Sequence, residues 1–341
     1  MVVVPAEEVF VSGVGLHLPP AMPAEEAVRQ GLTDDWTVRR TRMRSVCVGT
    51  EAGPQMAVRA AREALRHADA GPQDIDLVLH ASSYFQGYDL WAPASYVQRE
   101  AVGNTCLSLA VEQLSNGGMA AFELAVAYLR ADSRRHSALV TTGDRFCLPG
   151  IDRWTTDPGT VLGDGGTAVV LSTEDGFALL RSLVTVSDPT LEKMGRGDDP
   201  FATTPLETRT PISVEEPRAR LVKEMGMSEL IDRLHTGQRA AFEQALREAD
   251  VKQEDLDWTV LPHLGRAKMD FQFFSALDLD PERTTWPWGS GVGHLGAGDM
   301  FAGLAHLTRT GALRPGQTGA LVSAGGGFAW TVAVLEILTA A

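Results

Sequence analysis

Cysteine is scarce in this chain of 341 residues, with only Cys47, Cys106 and Cys147. They form no Cys-x-x-Cys pair and no metal-ligand spacing. That argues against a disulfide framework and a thiolate metal site, and it fits a reducing cytoplasm. No metal is expected. Long apolar runs are missing as well: none approaches the ~20 residues of a membrane-spanning helix. The opening MVVVPAEEVF lacks the basic start and long apolar core of a secretory leader. Positive charge is in deficit. The formal net charge is −14, and lysine is confined to Lys193, Lys223, Lys252 and Lys268. A nucleic-acid binder is therefore not expected. Arg39, Arg40, Arg42 and Arg44 form a local basic run. An acidic carrier protein could dock there, and a plain solvated surface run reads equally well. The 44% hydrophobic and 22% charged content is that of an ordinary soluble globular protein.

What is present is a degenerate copy of the chain within itself. ALRHADAGPQDID at 64–76 recurs as ALREADVKQEDLD at 245–257. SALVTTGDRF at 137–146 recurs as GALVSAGGGF at 319–328. The two pairs share nearly one offset and one order. A period of about 180 residues is far too long for a solenoid of short units. It implies two duplicated halves, 1–180 and 181–341, about a pseudo-twofold axis, with a shared site where equivalent elements meet.

Each half alternates strands and helices, an α/β pattern. VFVSGVGLHLPP at the start reads as a strand, followed by a helix over 55–69 and a buried strand over 75–83. CLSLAV (106–111) is a strand, SNGGMAAFELAVAYLRA (115–131) a helix, and 165–172 a further strand. The second half repeats the pattern with a helix over 228–249, a strand over 257–263 and a glycine-opened helix over 293–311. Between them, 187–227 is rich in Asp, Pro, Thr and Glu and too long for a bare turn. It reads as an insertion lining or lidding the site, the alternative being a disordered linker.

Four segments carry chemistry. Ser115, in LSNGG (114–118), follows an apolar strand and opens a helix, so the helix N-terminus faces its hydroxyl. GxSxG is absent, which disfavours an α/β-hydrolase. On local sequence alone a plain N-cap serine is the better reading. His263, in LPHL, ends a buried strand and could be purely structural. His294 sits in the glycine-dense WGSGVGHLGAGD (288–299), and Asp299 and Glu112 are both possible orienters of a histidine. SAGGGFAW (323–330) can present backbone N–H groups to an oxyanion. Cys106 and His80 read as structural.

These segments, with VSGVGLHLPP, DWTVRRT (35–41) and VLGDGGTA (161–168), resemble the thiolase superfamily, most closely its β-ketoacyl-acyl carrier protein synthase III branch. The resemblance runs through essentially the whole chain. It implies a five-layer αβαβα sandwich, active as a homodimer. It places the nucleophile at Ser115, where the family has cysteine. It gives the first catalytic histidine as His263 and the second catalytic group, normally asparagine, as His294. The oxyanion hole would be Gly326 with Ser115 N–H. Trp36 and Arg40 would flank a coenzyme A thioester at the entrance, with Arg153 the nearest third member of that clamp. Serine for cysteine calls for an adjacent base, and histidine for asparagine can supply one. The GHLG pattern resembles synthase III-like acyltransferases of antibiotic pathways.

The resulting expectation is an acyltransferase. An acyl group moves from a carrier-protein or coenzyme A thioester, through an acyl-serine, to a hydroxyl or amine of a small-molecule acceptor. No resident cofactor, nucleic acid or membrane is expected. The alternatives are a starter-unit condensing enzyme of a polyketide synthase and a non-catalytic thiolase-fold partner subunit.

Overall fold

The computed structural model describes residues 8–340. The opening residues read above for a leader lie largely outside them. The first half carries β1 (Phe10–His17), α1 (Gly53–His67), β2 (Leu77–Ala81), β3 (Leu107–Val111), α2 (Gly117–Arg130), β4 (Ser137–Asp144) and β5 (Gly165–Ser172). The second carries β6 (Ala178–Ser187), α3 (Met227–Ala249), β7 (Trp258–Val260), α4 (Asp299–Arg309), β8 (Thr318–Gly325) and β9 (Ala329–Ile337).

Strand order is β3-β2-β4-β5-β1-β6-β9-β8-β7. Outward from the β1/β6 border, the two sides match step for step. β1 to β5 and β5 to β4 are antiparallel, and β4 to β2 is parallel. β6 to β9 and β9 to β8 are antiparallel, and β8 to β7 is parallel. The repeat seen in the sequence is therefore a repeat of topology, with β3 an extra edge strand on the first side. The repeated aspartates have one structural job in both halves. Asp69 and Asp250 adopt left-handed φ of 50° and 55° just past α1 and α3, a conformation that Asp tolerates better than most residues. Asp76 Oδ2 accepts the Ser137 N–H, and Asp257 Oδ2 accepts the Thr318 N–H. Each thus caps the start of the neighbouring strand.

β1 and β6 pair only at Phe10↔Leu179 and Val11↔Ala178, so the sheet parts there into two layers. Strand alternation sends each face to a different core. Ala168, Val170 and Leu139 meet Ala60, Ala61 and Ala64 of α1 on one outer side. Val332, Val334 and Val322 meet Ala241, Phe242 and Ala245 of α3 on the other. Between the sheets, Val169, Leu171, Ala333 and Leu335 pack on Phe122 of α2 and Phe301 of α4. The result is α1, sheet, α2 with α4, sheet, α3: the five-layer αβαβα sandwich. Both central helices begin at the same end of the molecule, and that end holds the four chemical segments.

Candidate active site

Ser115 lies in a single 3₁₀ turn, Leu114–Asn116, between β3 and α2. Leu114 is held at φ 46°, an uncommon left-handed conformation for leucine that turns the chain sharply ahead of the serine. Tight packing explains the following glycines. A Cβ on Gly118 would lie 2.3 Å from Ala297 O, so the start of α2 rests directly on the turn that carries His294. That turn is itself pinned: His294 N–H donates to Val161 O at 2.8 Å, and Gly163 N–H donates to His294 O at 2.9 Å.

Ser115 Oγ is 2.7 Å from His294 Nε2. His294 Nδ1 is 2.5 Å from Asp299 Oδ2. The carboxylate fixes the tautomer: Nδ1–H donates to Asp299, leaving the Nε2 lone pair to accept the serine proton. Asp299 is clamped in turn. Its Oδ1 accepts Leu295 N–H at 2.8 Å, and its Oδ2 also accepts His263 N–H at 2.8 Å. Burial alone would lower the His294 pKa, but Asp299 outweighs it and the net direction is upward. For Asp299, burial pushes upward, but His263 and His294 bring the pKa down to about 2. The relay serine–imidazole–carboxylate has the geometry of a serine acyl-transfer triad, which is recognised by distances and roles rather than by chain order.

Two expectations are corrected here. His263 does not reach Ser115 and is absent from the chamber wall. It is fully buried, with Nδ1 3.1 Å from Gly293 O and 3.3 Å from Asp299 Oδ1, and its edge meets the Trp288 ring. Its Nε2 has no hydrogen-bond partner, and burial lowers its pKa. It braces Asp299 rather than touching the nucleophile. Arg153 is not part of an entrance clamp either. It pairs with buried Asp164 at 3.0 Å and donates to the carbonyls of Leu162 and Phe146.

Of the two possible orienters, Asp299 is the one in contact with His294. Glu112 lines the chamber instead. The chamber holds about 660 Å³ and is also lined by Ser115, His294 and the Gly325–Gly327 turn. That turn sits against the nucleophile: a Cβ on Gly325 would lie 2.3 Å from Asn116 N. Gln113 Nε2 donates to Gly326 O at 3.1 Å, fixing the peptide beside Ser115. The 187–227 segment supplies Leu191, Met194, Val214 and Arg218 to the wall.

Residues missed in the sequence form a half-buried ionic group on the same wall. Asp157 pairs with Lys268 at 2.7 Å and with Arg218 at 3.0 Å, and Lys268 also donates to Thr160 Oγ1 at 2.7 Å. Burial, only partly opposed by Asp157, brings the Lys268 pKa down to about 8. Lys268 and Arg218 also line an outer groove of about 500 Å³ together with Arg40. The Arg40 guanidinium stacks 4.9 Å from the ring centre of Trp36, which is 58% exposed. The scarcity of lysine was the one available signal for Lys268.

The cysteines and His80 stay outside this chemistry. Burial raises the Cys106 pKa and pushes that of Cys47 up to about 11. His80 is buried between Thr141 and Gln86. Among the described residues no group of His, Cys, Asp and Glu is arranged to hold a metal, and no helix is long and apolar enough to cross a membrane.

Known proteins are similar to this chain in sequence and fold. Residues 246–337 match the 3-oxoacyl-[acyl-carrier-protein] synthase III C-terminal family. The β-ketoacyl-[acyl-carrier-protein] synthase III of Sphingopyxis alaskensis is 29% identical over 338 residues, covering 96% of this chain and 98% of the relative. That of Neisseria gonorrhoeae is 26% identical over 334 residues, with the same coverage. The solved structure of ChlB3, an acyltransferase, superposes with a TM-score of 0.92 at 35% identity, covering 97% of this chain and 98% of ChlB3. The priming β-ketosynthase of the R1128 polyketide pathway superposes with a TM-score of 0.78 at 19% identity, over 99% of both chains, a likeness of fold alone. With the duplicated sandwich and near end-to-end likeness to ChlB3, the chain belongs to the β-ketoacyl-acyl carrier protein synthase III-like enzymes of the thiolase superfamily.

Proposed function

We propose that the protein is an acyltransferase that carries its acyl group on Ser115. The observation that carries this reading is the Ser115–His294–Asp299 relay, with Ser115 Oγ 2.7 Å from His294 Nε2. The donor is a carrier-protein or coenzyme A thioester, as the names of the synthase III relatives suggest. His294 takes the Ser115 proton as Oγ attacks the thioester carbonyl. The developing oxyanion is held by the Ser115 and Gly326 N–H groups. The C–S bond breaks, and His294 returns its proton to the leaving thiolate. An acceptor hydroxyl or amine then attacks the acyl-serine, with His294 again as base.

Asp299 keeps the imidazole in the accepting tautomer and stabilises its charged form. His263 supports Asp299. The protein works as a homodimer joined along the β3 edge, and Trp36 and Arg40 guide the donor at the outer groove.

The second reading is a starter-unit condensing enzyme. It is favoured by the fold shared with the R1128 priming ketosynthase. It is opposed by His263, which stands off the chamber and offers no hydrogen bond to an enolate there. A single-turnover assay on acylated enzyme separates the two readings. Acceptor product and CO₂ from a malonyl thioester are followed independently. Acyl transfer without malonyl-dependent CO₂ is expected. CO₂ release at the rate of product formation would replace this reading with condensation.

A further inference from the structure

Two side chains, Arg218 and Lys268, line both the chamber and the outer groove, so they form the partition between them. A donor seated at Arg40 has to pass this partition to reach Ser115. Asp157 ties it together. Its Oδ1 accepts Arg218 Nη2 at 3.0 Å, and its Oδ2 accepts Lys268 Nζ at 2.7 Å and Thr160 Oγ1 at 2.9 Å. The two cations are not held alike. Lys268 has a second acceptor in Thr160 Oγ1, and its stem lies against Gly159, where a Cβ would stand 3.2 Å from Lys268 Cε. Arg218 has Asp157 as its ion-pair partner, its side chain is 30% exposed, and its Nε is buried with no hydrogen-bond partner. It sits on the helix Glu215–Met225 of the 187–227 segment. A partly exposed pair held by one contact is weak. The groove side is crowded with positive charge. Arg40, Arg218 and Lys268 face it against one carboxylate of its own wall, Glu215. Burial lowers the Lys268 pKa most, and the charges of Arg218 and Arg40 lower it further, the mark of mutual repulsion. Crowded cations with an unused guanidinium N–H suit a phosphate, which takes two parallel hydrogen bonds from the arginine fork.

We infer that Arg218 is a specificity gate on the donor path, drawn off Asp157 by a phosphate on the far end of the thioester's pantetheine arm. The inference rests on the acyl-serine reading with its thioester donor and adds a residue that selects the donor. Such a phosphate is shared by coenzyme A and by the arm of a carrier protein. With phosphate in the groove, Arg218 exchanges the carboxylate for it, while Lys268 stays on Asp157 and Thr160. The partition opens on the side of the 187–227 segment, and the arm reaches Ser115. A thioester without phosphate meets the closed pair.

The test compares acetyl-pantetheine, acetyl-4′-phosphopantetheine and acetyl-coenzyme A, each at saturation, with acylation of Ser115 followed by quenched-flow intact mass. The wild type should acylate at least about tenfold faster with a phosphate-bearing donor. A gain already complete with acetyl-4′-phosphopantetheine assigns the trigger to the phosphate that carrier arms bear, and a gain with coenzyme A alone assigns it to the nucleotide phosphates. Arg218→Met should raise the acetyl-pantetheine rate at least about fivefold and erase the difference between donors. An arginine that merely bound phosphate would leave the acetyl-pantetheine rate unchanged on removal, and that result, or equal rates with all three donors in the wild type, overturns the gate. The wild type alone gives a second reading. Inorganic pyrophosphate, added at constant ionic strength, should speed acylation by acetyl-pantetheine, because the detached phosphate opens the same partition. An unchanged or slower rate overturns the proposal. No Ser115 adduct from any of the three thioesters would instead overturn the acyl-serine reading on which the gate rests.

Discussion

At the residue scale, the proposed acyl transfer depends on Ser115, His294 and Asp299 and the proton they share. Asp299→Asn should slow acylation by about 10³–10⁴-fold, because the amide no longer holds the accepting tautomer. The pH dependence follows from the same contact. His294 must be neutral to take the serine proton, and its pKa stands above the ordinary 6.5 because Asp299 outweighs burial. Acylation in the wild type should therefore rise with pH through a midpoint above 6.5. Removing the negative charge at Asp299 should move that midpoint down. Stopped-flow acylation across pH 5–9 measures both effects, and an unmoved midpoint in Asp299→Asn would contradict the relay. Much of this site was legible in the sequence. Ser115 and His294 were readable because the family resemblance picks out a strand-to-helix junction and a glycine-dense turn; local sequence alone left Ser115 a plain N-cap. The choice between Asp299 and Glu112 was not, because it depends on which way α4 projects its first residue. The role of His263 was misread for a related reason: the motif fixes its place at the end of β7, while the packing of Trp288 and Gly293 fixes where its ring points.

At the scale of elements, the site is a meeting of turns. The 325–327 turn after β8 presses on the turn before α2, and glycine is required where backbones come this close. Gly325→Ala would place a Cβ 2.3 Å from Asn116 N, a backbone atom that cannot swing aside. The expected outcome is a displaced Ser115 turn and an acylation rate reduced by at least about 10²-fold, with far-ultraviolet circular dichroism unchanged. A variant as active as the wild type would show that the two turns can separate without consequence. The repeated strands were legible because short apolar runs, buried on both faces, and the 64–76/245–257 echo both leave marks in sequence. The ionic group of Asp157, Lys268 and Arg218 left none. Its members come from a loop, the short helix after β7 and the 187–227 segment, and only folding joins them.

At the scale of the molecule, β3 breaks the symmetry of the two halves. It pairs with β2 on one side only, and Leu107 and Leu109 are each 49% exposed. An open apolar edge strand is a template for another chain, and a second β3 across a twofold axis would cover it. If the proposed dimer forms along this edge, the wild type should be dimeric in light scattering and Leu109→Glu monomeric, with like charges facing across the axis. A monomeric wild type would remove the basis for this interface.

The central claim is the acyl-serine itself. Intact-protein mass spectrometry after incubation with a panel of acyl-coenzyme A and acyl-carrier-protein thioesters reads it directly. The account predicts a mass increase of one acyl group that maps to Ser115, is absent in Ser115→Ala, persists in Ser115→Cys and disappears when acceptor is added. Acceptor product formed without any adduct, or by Ser115→Ala at the wild-type rate, would contradict it.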